Sequence, residues 1–210
     1  MGQQYEVIDM QNWKRAQHCQ LFRNSLEPQY CVSFELDITN FISVVHDKKY
    51  SFTFALIYAI ASCANEIEEF RYRFMGKHIV LYKQIDTAFT YLHDNTELFK
   101  FVQAPMQSSL AAYIYETKKI TEAQAAYFIS PPKNNVFVFS PMPWVSFRHI
   151  SHTISEKKDN AAPLFDWGKY YFQNNKVLLP FAVQVHHSFI DGIHIGRLAH
   201  KLQRYMDSMI

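Results

Sequence analysis

Glycine is scarce in this chain, with only five copies in 210 residues. Neither the pattern GxGxxG nor the pattern GxxxxGKS/T occurs in it. These two patterns supply the backbone amides that bind the phosphates of dinucleotides and nucleoside triphosphates. Their absence argues against a glycine-rich phosphate-binding loop, and so against nucleotide sites of these two kinds.

Cysteine is also rare, and Cys19, Cys31 and Cys63 are widely spaced with no CxxC pair. Three cysteines cannot all pair within one chain, so we expect reduced and mostly buried thiols in a cytoplasmic protein. The first ten residues, MGQQYEVIDM, contain neither a basic segment nor an apolar one. We therefore expect no secretory signal.

The chain has neither a large excess of charge nor a long apolar run. Its net charge is +2 and its basic residues are scattered, which gives no indication that it binds nucleic acid or an anionic membrane. The longest apolar stretch, residues 52–64, is shorter than the ~20 residues that a membrane-spanning helix needs. It is interpreted as a buried helix.

The sequence does contain enough apolar side chains for one core, because 49% of its residues are hydrophobic. The length fits a single domain over residues 1–210. Periodicity predicts helices over residues 13–23, 37–45, 52–67, 107–124 and 193–210. Strands are predicted over residues 71–74, 79–85, 87–93, 99–103, 136–140, 144–150 and 177–186. This order mixes hairpins with crossover helices, which indicates an α+β or mixed-sheet α/β domain.

Residues 183–194 carry the strongest chemical signal. The predicted strand ends in His186 and His187 and is followed by the turn signal Asp191-Gly192. Successive side chains of a strand point to opposite faces, so only one of the two histidines can serve a given pocket. An imidazole there can take a proton from a hydroxyl group if its other nitrogen is fixed as a donor. We interpret the histidine as a base without its own serine or cysteine nucleophile, which suits direct attack of an acceptor hydroxyl on a thioester.

Two other interpretations of the segment remain open at this point. His187, Asp191 and His194 are residue types that bind metals, but the loop would have to turn all three inward and no second cluster supports such a site. The other interpretation is a purely structural pair of histidines at the end of a strand.

The string His186 to Gly192 is the HHxxxDG signature, and in it the sequence resembles the CoA-dependent acyltransferases. These include the chloramphenicol acetyltransferases, the catalytic domains of dihydrolipoyl acyltransferases and the condensation domains of peptide synthetases. The resemblance to the chloramphenicol acetyltransferases covers nearly the whole chain. The segments that carry it are LDIT (36–39), PWVSF (143–147), GKYY (168–171), LLPFAVQVHH (178–187) and DGIH (191–194).

In that family the second histidine is the general base, a role that the resemblance gives to His187. The acceptor hydroxyl attacks the co-substrate acetyl-CoA directly, without an acyl-enzyme and without a metal. The resemblance makes Asp191 structural, paired with Arg15 of the first helix. It makes Ser140 a donor to the tetrahedral oxyanion, and one such donor commonly lowers the barrier by about 3–4 kcal/mol.

The resemblance also implies an aromatic, apolar acceptor pocket, whose rings match Phe22, Phe99 and either Tyr127 or Phe128. Lys169 and Tyr170, within a matched segment, are the candidates for contact with the coenzyme. The family fold is a mixed-sheet α/β two-layer sandwich that assembles as a homotrimer. Its active sites lie between subunits, and each catalytic histidine faces the neighbour's pocket.

Two positions depart from the family pattern. Asp166 stands where the family has a threonine whose hydroxyl helps to place a water near the oxyanion, and His152 stands where a pocket leucine is usual. A carboxylate at 166 would oppose the developing negative charge unless it is protonated, turned away or bound to a different acceptor. We expect acetyl transfer to the 3-hydroxyl of chloramphenicol; the alternatives are an O-acetyltransferase for a more polar hydroxyl compound and a non-catalytic ligand-binding protein.

Overall fold

A computed structural model describes residues 4–92, 96–131, 133–152 and 159–209. Within these ranges the chain forms five α-helices, one short 3-10 helix at Glu68–Arg71 and ten strands. The helices are Ala16–Arg23 (α1), Thr39–Asp47 (α2), Phe52–Asn65 (α3), Leu110–Ala123 (α4) and Gly192–Ser208 (α5). The strands are Tyr5–Val7 (β1), Gln29–Asp37 (β2), Tyr72–Met75 (β3), His78–Tyr82 (β4), Asp86–Leu92 (β5), Phe99–Ala104 (β6), Val136–Phe139 (β7), Leu164–Trp167 (β8), Tyr171–Gln173 (β9) and Lys176–His186 (β10).

The main sheet has the strand order β2-β10-β8-β7-β5-β6, and β9 pairs with one end of β10. The pairs β5–β7 and β7–β8 are parallel, and the other pairs are antiparallel. A second sheet of three strands has the order β1-β4-β3. The prediction of a mixed-sheet α/β fold is therefore confirmed.

Helix α3 lies at the centre of the helical layer and packs against α2, α4, α5 and β5. Its apolar side chains surround the helix, as expected where neighbours cover every side. The hydroxyl of Ser51 caps its start by accepting a hydrogen bond from the Phe54 amide at 3.4 Å. Ser109 caps α4 in the same way through the Ala112 amide. None of the helices within the described residues is long and apolar enough to cross a membrane.

The predicted strand over residues 144–150 is wrong. After β7 the chain makes a single bridge, Met142 to Gly168, and then continues through turns and bends. Pro141 and Pro143 have no amide hydrogen for a ladder, which explains why pairing stops there. Trp144 is 66% exposed as a result.

Other differences concern boundaries and missed strands. The first helix begins at Ala16, after a turn at Trp13, and β4 ends at Tyr82. The hairpin of β3 and β4 lies as predicted around Gly76, whose φ is +59°. The strands missing from the prediction are β1, β2, β8 and β9. The longest of these, β2, pairs through all nine of its residues with β10, which places β10 inside the sheet.

Candidate active site

Strand β10 delivers the histidine pair to one end of the main sheet. His186, its last residue, is 2% exposed, and its Nδ1 accepts a hydrogen bond from the Ser188 amide at 3.1 Å. His187 begins the turn that follows, and its amide donates to the carbonyl of Pro28 at 2.8 Å. The His187 side chain is 35% exposed. Of the two imidazoles, the one that a substrate can reach is therefore that of His187.

Arg15, directly before α1, fixes this turn through four hydrogen bonds. Its Nη1 and Nη2 donate to the two carboxylate oxygens of Asp191 at 2.5 and 2.6 Å. Nη2 also donates to the carbonyl of His187 at 3.0 Å, and Nε to the carbonyl of Ser188 at 2.8 Å. The Arg15 guanidinium holds the pKa of Asp191 below its usual value. We call these four contacts the Arg15 clamp; they hold His187 by its backbone and fix the Asp191 carboxylate that lies 3.1 Å from its Nδ1.

The His187 ring lies between two aromatic rings and a carboxylate. Phe22 stacks on it with centroids 3.8 Å apart and planes 3° apart, and the Tyr30 ring is 4.7 Å away. Nδ1 is buried and lies 3.1 Å from Oδ1 of Asp191, although the geometry is not that of a hydrogen bond. The carboxylate of Asp191 is therefore close to the His187 ring without accepting a hydrogen bond from it. It leaves the opposite edge of the ring, which carries Nε2, as the side from which a hydroxyl can approach.

His194 has a structural position at the start of α5. Its Nδ1 accepts from the amide of Asp191 at 2.9 Å, and its Nε2 lies 3.3 Å from Oε1 of Glu69. Burial lowers the pKa of this imidazole. Among the described residues no group of three or more His, Cys, Asp and Glu side chains could hold a metal ion.

Ser140 and Asp166 are neighbours on the same face of the sheet. The parallel register of β7 and β8 pairs Val138 with Leu164 and Phe139 with Phe165, and it resumes at the Met142–Gly168 bridge. Ser140 therefore lies opposite Asp166, and its amide donates to the carbonyl of Phe165 at 3.0 Å. Residues opposite each other in adjacent strands present their side chains to the same face.

Asp166 is fully buried and is paired with His152. The Asp166 side chain has 0% exposure, and its Oδ2 lies 2.6 Å from Nε2 of His152. Oδ1 has no hydrogen-bond partner among the residues that the structure describes. Burial raises the pKa of this carboxyl, while the contact with His152 acts in the opposite direction. The two departures from the family pattern thus contact each other.

Within one chain His187 and Ser140, the predicted base and the predicted oxyanion donor, are far apart. Asp166 pairs with Ala182 of β10, five residues before His187, and a strand advances about 3.3 Å per residue. Ser140 lies one strand further across the sheet. The separation between Ser140 and His187 is therefore roughly 15–20 Å, whereas a general base has to be within about 3 Å of the proton that it removes.

The other predicted pocket rings are more distant still. Phe99 and Phe128 meet edge to face at 5.9 Å, beside the outer strand β6. Both are exposed, as is Tyr127. A cavity of about 500 Å³ lies here, lined by Phe101, Phe128, Ile129, Ser130 and Pro131. Strand β6 is four strands from β10, or roughly 20 Å, so Phe22 alone of the predicted rings touches His187.

The two candidates for coenzyme contact lie on the surface between β8 and β9. The Lys169 amide donates to the carbonyl of Val145 at 2.9 Å. The Tyr170 ring packs 5.8 Å from that of Phe52, in the first turn of α3. Both side chains are exposed and free to meet a ligand.

Sequence reasoning missed Tyr30, which touches His187 and donates from its hydroxyl to the carbonyl of Ile190 at 3.2 Å. Burial, with a smaller contribution from Asp191, raises the pKa of Tyr30 to about 12. The residue lies on β2, which had not been predicted. Its only signal was the alternation of apolar and polar residues within that strand.

Comparison with known proteins finds relatives that match almost the whole chain. The sequence matches the chloramphenicol acetyltransferase family over residues 3–203. A chloramphenicol acetyltransferase of Escherichia coli is 32% identical over 206 residues, which are 97% of this chain and 94% of that protein. A solved chloramphenicol acetyltransferase structure superposes with a TM-score of 0.88 at 25% identity, covering 96% of this chain and 99% of that one.

The fold itself is more widespread. A truncated catalytic core of the 2-oxoacid dehydrogenase multienzyme complex from Thermoplasma acidophilum matches with a TM-score of 0.66 at 12% identity, over 97% of this chain and 98% of that one. At that identity the likeness concerns the fold alone. The sequence matches show more than the fold, because the matched range contains both the turn after β10 and helix α1. The chain belongs to the chloramphenicol acetyltransferase family.

Proposed function

We propose that the protein transfers the acetyl group of acetyl-CoA to the 3-hydroxyl of chloramphenicol, with His187 as general base. The observation that carries this proposal is the fixed and accessible His187 ring, stacked on Phe22 and bound at its backbone by Arg15. The names of the relatives support chloramphenicol as the acceptor. They do not favour the alternative of a more polar compound.

The proposed step begins at the open edge of the His187 ring. Nε2 takes the proton of the acceptor hydroxyl while that oxygen attacks the thioester carbonyl. Ser140 donates a hydrogen bond to the resulting oxyanion. The tetrahedral intermediate collapses as its carbon–sulfur bond breaks, and the CoA thiolate takes the proton from His187. The products are the acetyl ester and free CoA, and the base returns to its starting state.

We further propose that the active site forms between two subunits of a homotrimer. The support is the roughly 15–20 Å between Ser140 and His187 within one chain, which no side-chain rotation closes. A neighbouring copy would present its own Ser140 to this chain's His187, and the exposed rings Phe99, Tyr127 and Phe128 would line the acceptor pocket. Lys169 and Tyr170 would contact the coenzyme. Residues 1–210 would form one catalytic domain, acting in the cytoplasm.

The first experiment follows the release of CoA thiol from acetyl-CoA in the presence of chloramphenicol, with and without His187→Ala. We expect kcat to fall by about 10²–10⁴-fold, because that is what proton transfer by a positioned base contributes. His46→Ala is the matched control, since His46 is 90% exposed on α2. Acetyl-CoA binding without thiol release by the wild-type protein, across a panel of hydroxyl acceptors, would contradict the proposal and favour a non-catalytic binding protein.

The second experiment tests the shared site with mixed subunits. His187→Ala and Ser140→Ala variants are unfolded together at equal concentrations and refolded, so that hybrid oligomers form. If the two residues act across an interface, about a quarter of the sites regain both groups. Thiol release should then rise well above that of either variant refolded alone. No gain, with hybrids demonstrated by a size tag on one variant, would contradict a site between subunits.

A further inference from the structure

A buried carboxylate lies where the proposed reaction develops negative charge. Ser140 and Asp166 face each other in adjacent strands, so an oxyanion bound to the Ser140 hydroxyl would be roughly 6 Å from the carboxylate, given the about 4.8 Å spacing of strands. Two full negative charges at that separation, with an effective dielectric constant of about 20, would slow the reaction by about 100-fold. An ionised and unpaired Asp166 would therefore be incompatible with efficient acetyl transfer.

We propose that His152 is a positioning residue that shares one proton with Asp166 and so keeps the pair free of net charge beside the oxyanion. This inference depends on the proposed function. It is carried by the 2.6 Å contact between His152 Nε2 and Asp166 Oδ2 and by the complete burial of the carboxylate. His152 thereby makes an acidic residue compatible with a position that the family fills with a threonine.

The loop that carries His152 is attached to the sheet next to the pair. The amide of His152 donates to Oε1 of Gln184 at 3.4 Å. The side-chain Nε2 of Gln184 in turn donates to Oε1 of Gln29 at 2.6 Å. These bonds connect the loop to β10 and β2, the strands on one side of Asp166. The backbone bond to Gln184 thus helps to position the His152 imidazole beside the Asp166 carboxylate.

Two distributions of the shared proton give zero net charge. The pair can exist as imidazolium and carboxylate, or as imidazole and carboxylic acid. Burial raises the pKa of Asp166, which favours a proton on this carboxyl over an isolated negative charge. Burial, with a smaller contribution from the charge of Asp166, raises the pKa of Cys31 on β2 to about 11. That thiol is therefore neutral near pH 7 and adds no charge to the pair.

The test is a double-mutant cycle with His152→Leu and Asp166→Asn, measured as kcat for thiol release. In the wild-type background His152→Leu leaves Asp166 without its partner, and we expect kcat to fall by about 100-fold, with KM for acetyl-CoA changing by less than threefold. In the Asp166→Asn background there is no charge to neutralise, so the same substitution should change kcat by less than about threefold. His149→Leu, in the same loop and exposed, is the control.

The outcomes separate this inference from the proposed function. If the wild-type protein releases no thiol, the proposed function fails before the cycle is measured. If the wild type is active but His152→Leu has the same effect in both backgrounds, the function stands and the inference is overturned. Should His152→Leu fail to fold, His152→Gln replaces it, since glutamine can donate to the carboxylate but cannot supply a proton. A kcat for His152→Gln equal to wild type would also overturn the inference.

Discussion

Replacing Arg15 by alanine is the sharpest test of how the base is held. The change removes four hydrogen bonds and leaves Asp191 and two carbonyl oxygens without their donor. Breaking one partner of a buried ion pair costs about 3–5 kcal/mol. The Arg15 side chain is 11% exposed but that of Asp191 is 32% exposed, so water can hydrate the freed carboxylate and reduce this cost. We therefore expect a loss of about 2–4 kcal/mol in the free energy of unfolding.

For a chain of this size, 1 kcal/mol corresponds to about 2–4 °C in Tm, so Tm should fall by roughly 4–16 °C. Scanning calorimetry at one fixed protein concentration measures this, because the stability of an oligomer depends on concentration. Thiol release at a temperature where the variant is folded should show kcat reduced by at least about 100-fold, since a displacement of about 1 Å in a catalytic group has that effect.

Arg23→Ala is the matched control. Arg23 is the last residue of the same helix and also binds the carboxylate of Asp159 through two nitrogens. That pair is more exposed, and an exposed pair contributes about 0–1 kcal/mol. Arg15→Lys should recover little, because an ammonium group cannot reproduce the fork of the guanidinium. A loss below 1 kcal/mol for Arg15→Ala, or equal losses for the two alanine variants, would refute this account of the clamp.

Two further predictions concern the surroundings of His187. Arg15 lowers the folded-state pKa of Asp191, so the contribution of this carboxylate to stability is present above the unfolded pKa of about 3.9 and is lost as pH falls through the folded pKa. In urea unfolding, the stability advantage of wild type over Asp191→Asn should therefore shrink below about pH 4. A difference that stays constant with pH would contradict this. Phe22→Leu removes the stacked ring and should lower kcat about 10-fold with little change in Tm. Phe172→Leu, 77% exposed, is its control, and equal kcat values for the two would show that the stack does not orient the base.

The histidine turn could be predicted from the sequence because its signals are local. A long apolar run predicted β10, the Asp-Gly pair predicted the turn, and apolar periodicity predicted α5. The stacking of Phe22 on His187 could not be predicted from such signals, because it depends on how α1 docks against the end of β10. Arg15 was assigned to Asp191 only through the family resemblance, and no spacing within the sequence would have linked the two.

Strand β2 was missed for a related reason. Its sequence alternates apolar and polar residues, with Tyr30, Val32, Phe34 and Leu36 as the apolar set, but this signal was not used, and its nine pairs with β10 come from a distant part of the chain. Residues 144–150 show the converse error. Trp144, Val145 and Phe147 have high strand propensity, yet the neighbouring prolines and the lack of a partner strand prevent a ladder. At residues 144–150 tertiary pairing determined the outcome and propensity did not, whereas at β2 pairing and local pattern agree.

The conflict at Asp166 was visible in the sequence, but its resolution was not. A carboxylate in place of threonine predicted a more polar pocket, and His152 in place of leucine was counted as a second change in the same direction. In the fold the two side chains meet at 2.6 Å, and this contact is the basis of the proposal that they share one proton. On this proposal, two polar substitutions that would separately work against acetyl transfer act as one neutral unit. The proposal thereby accounts for an acceptor site that departs from its family at two positions while the proposed base His187, the Arg15 clamp and the proposed oxyanion donor Ser140 are retained.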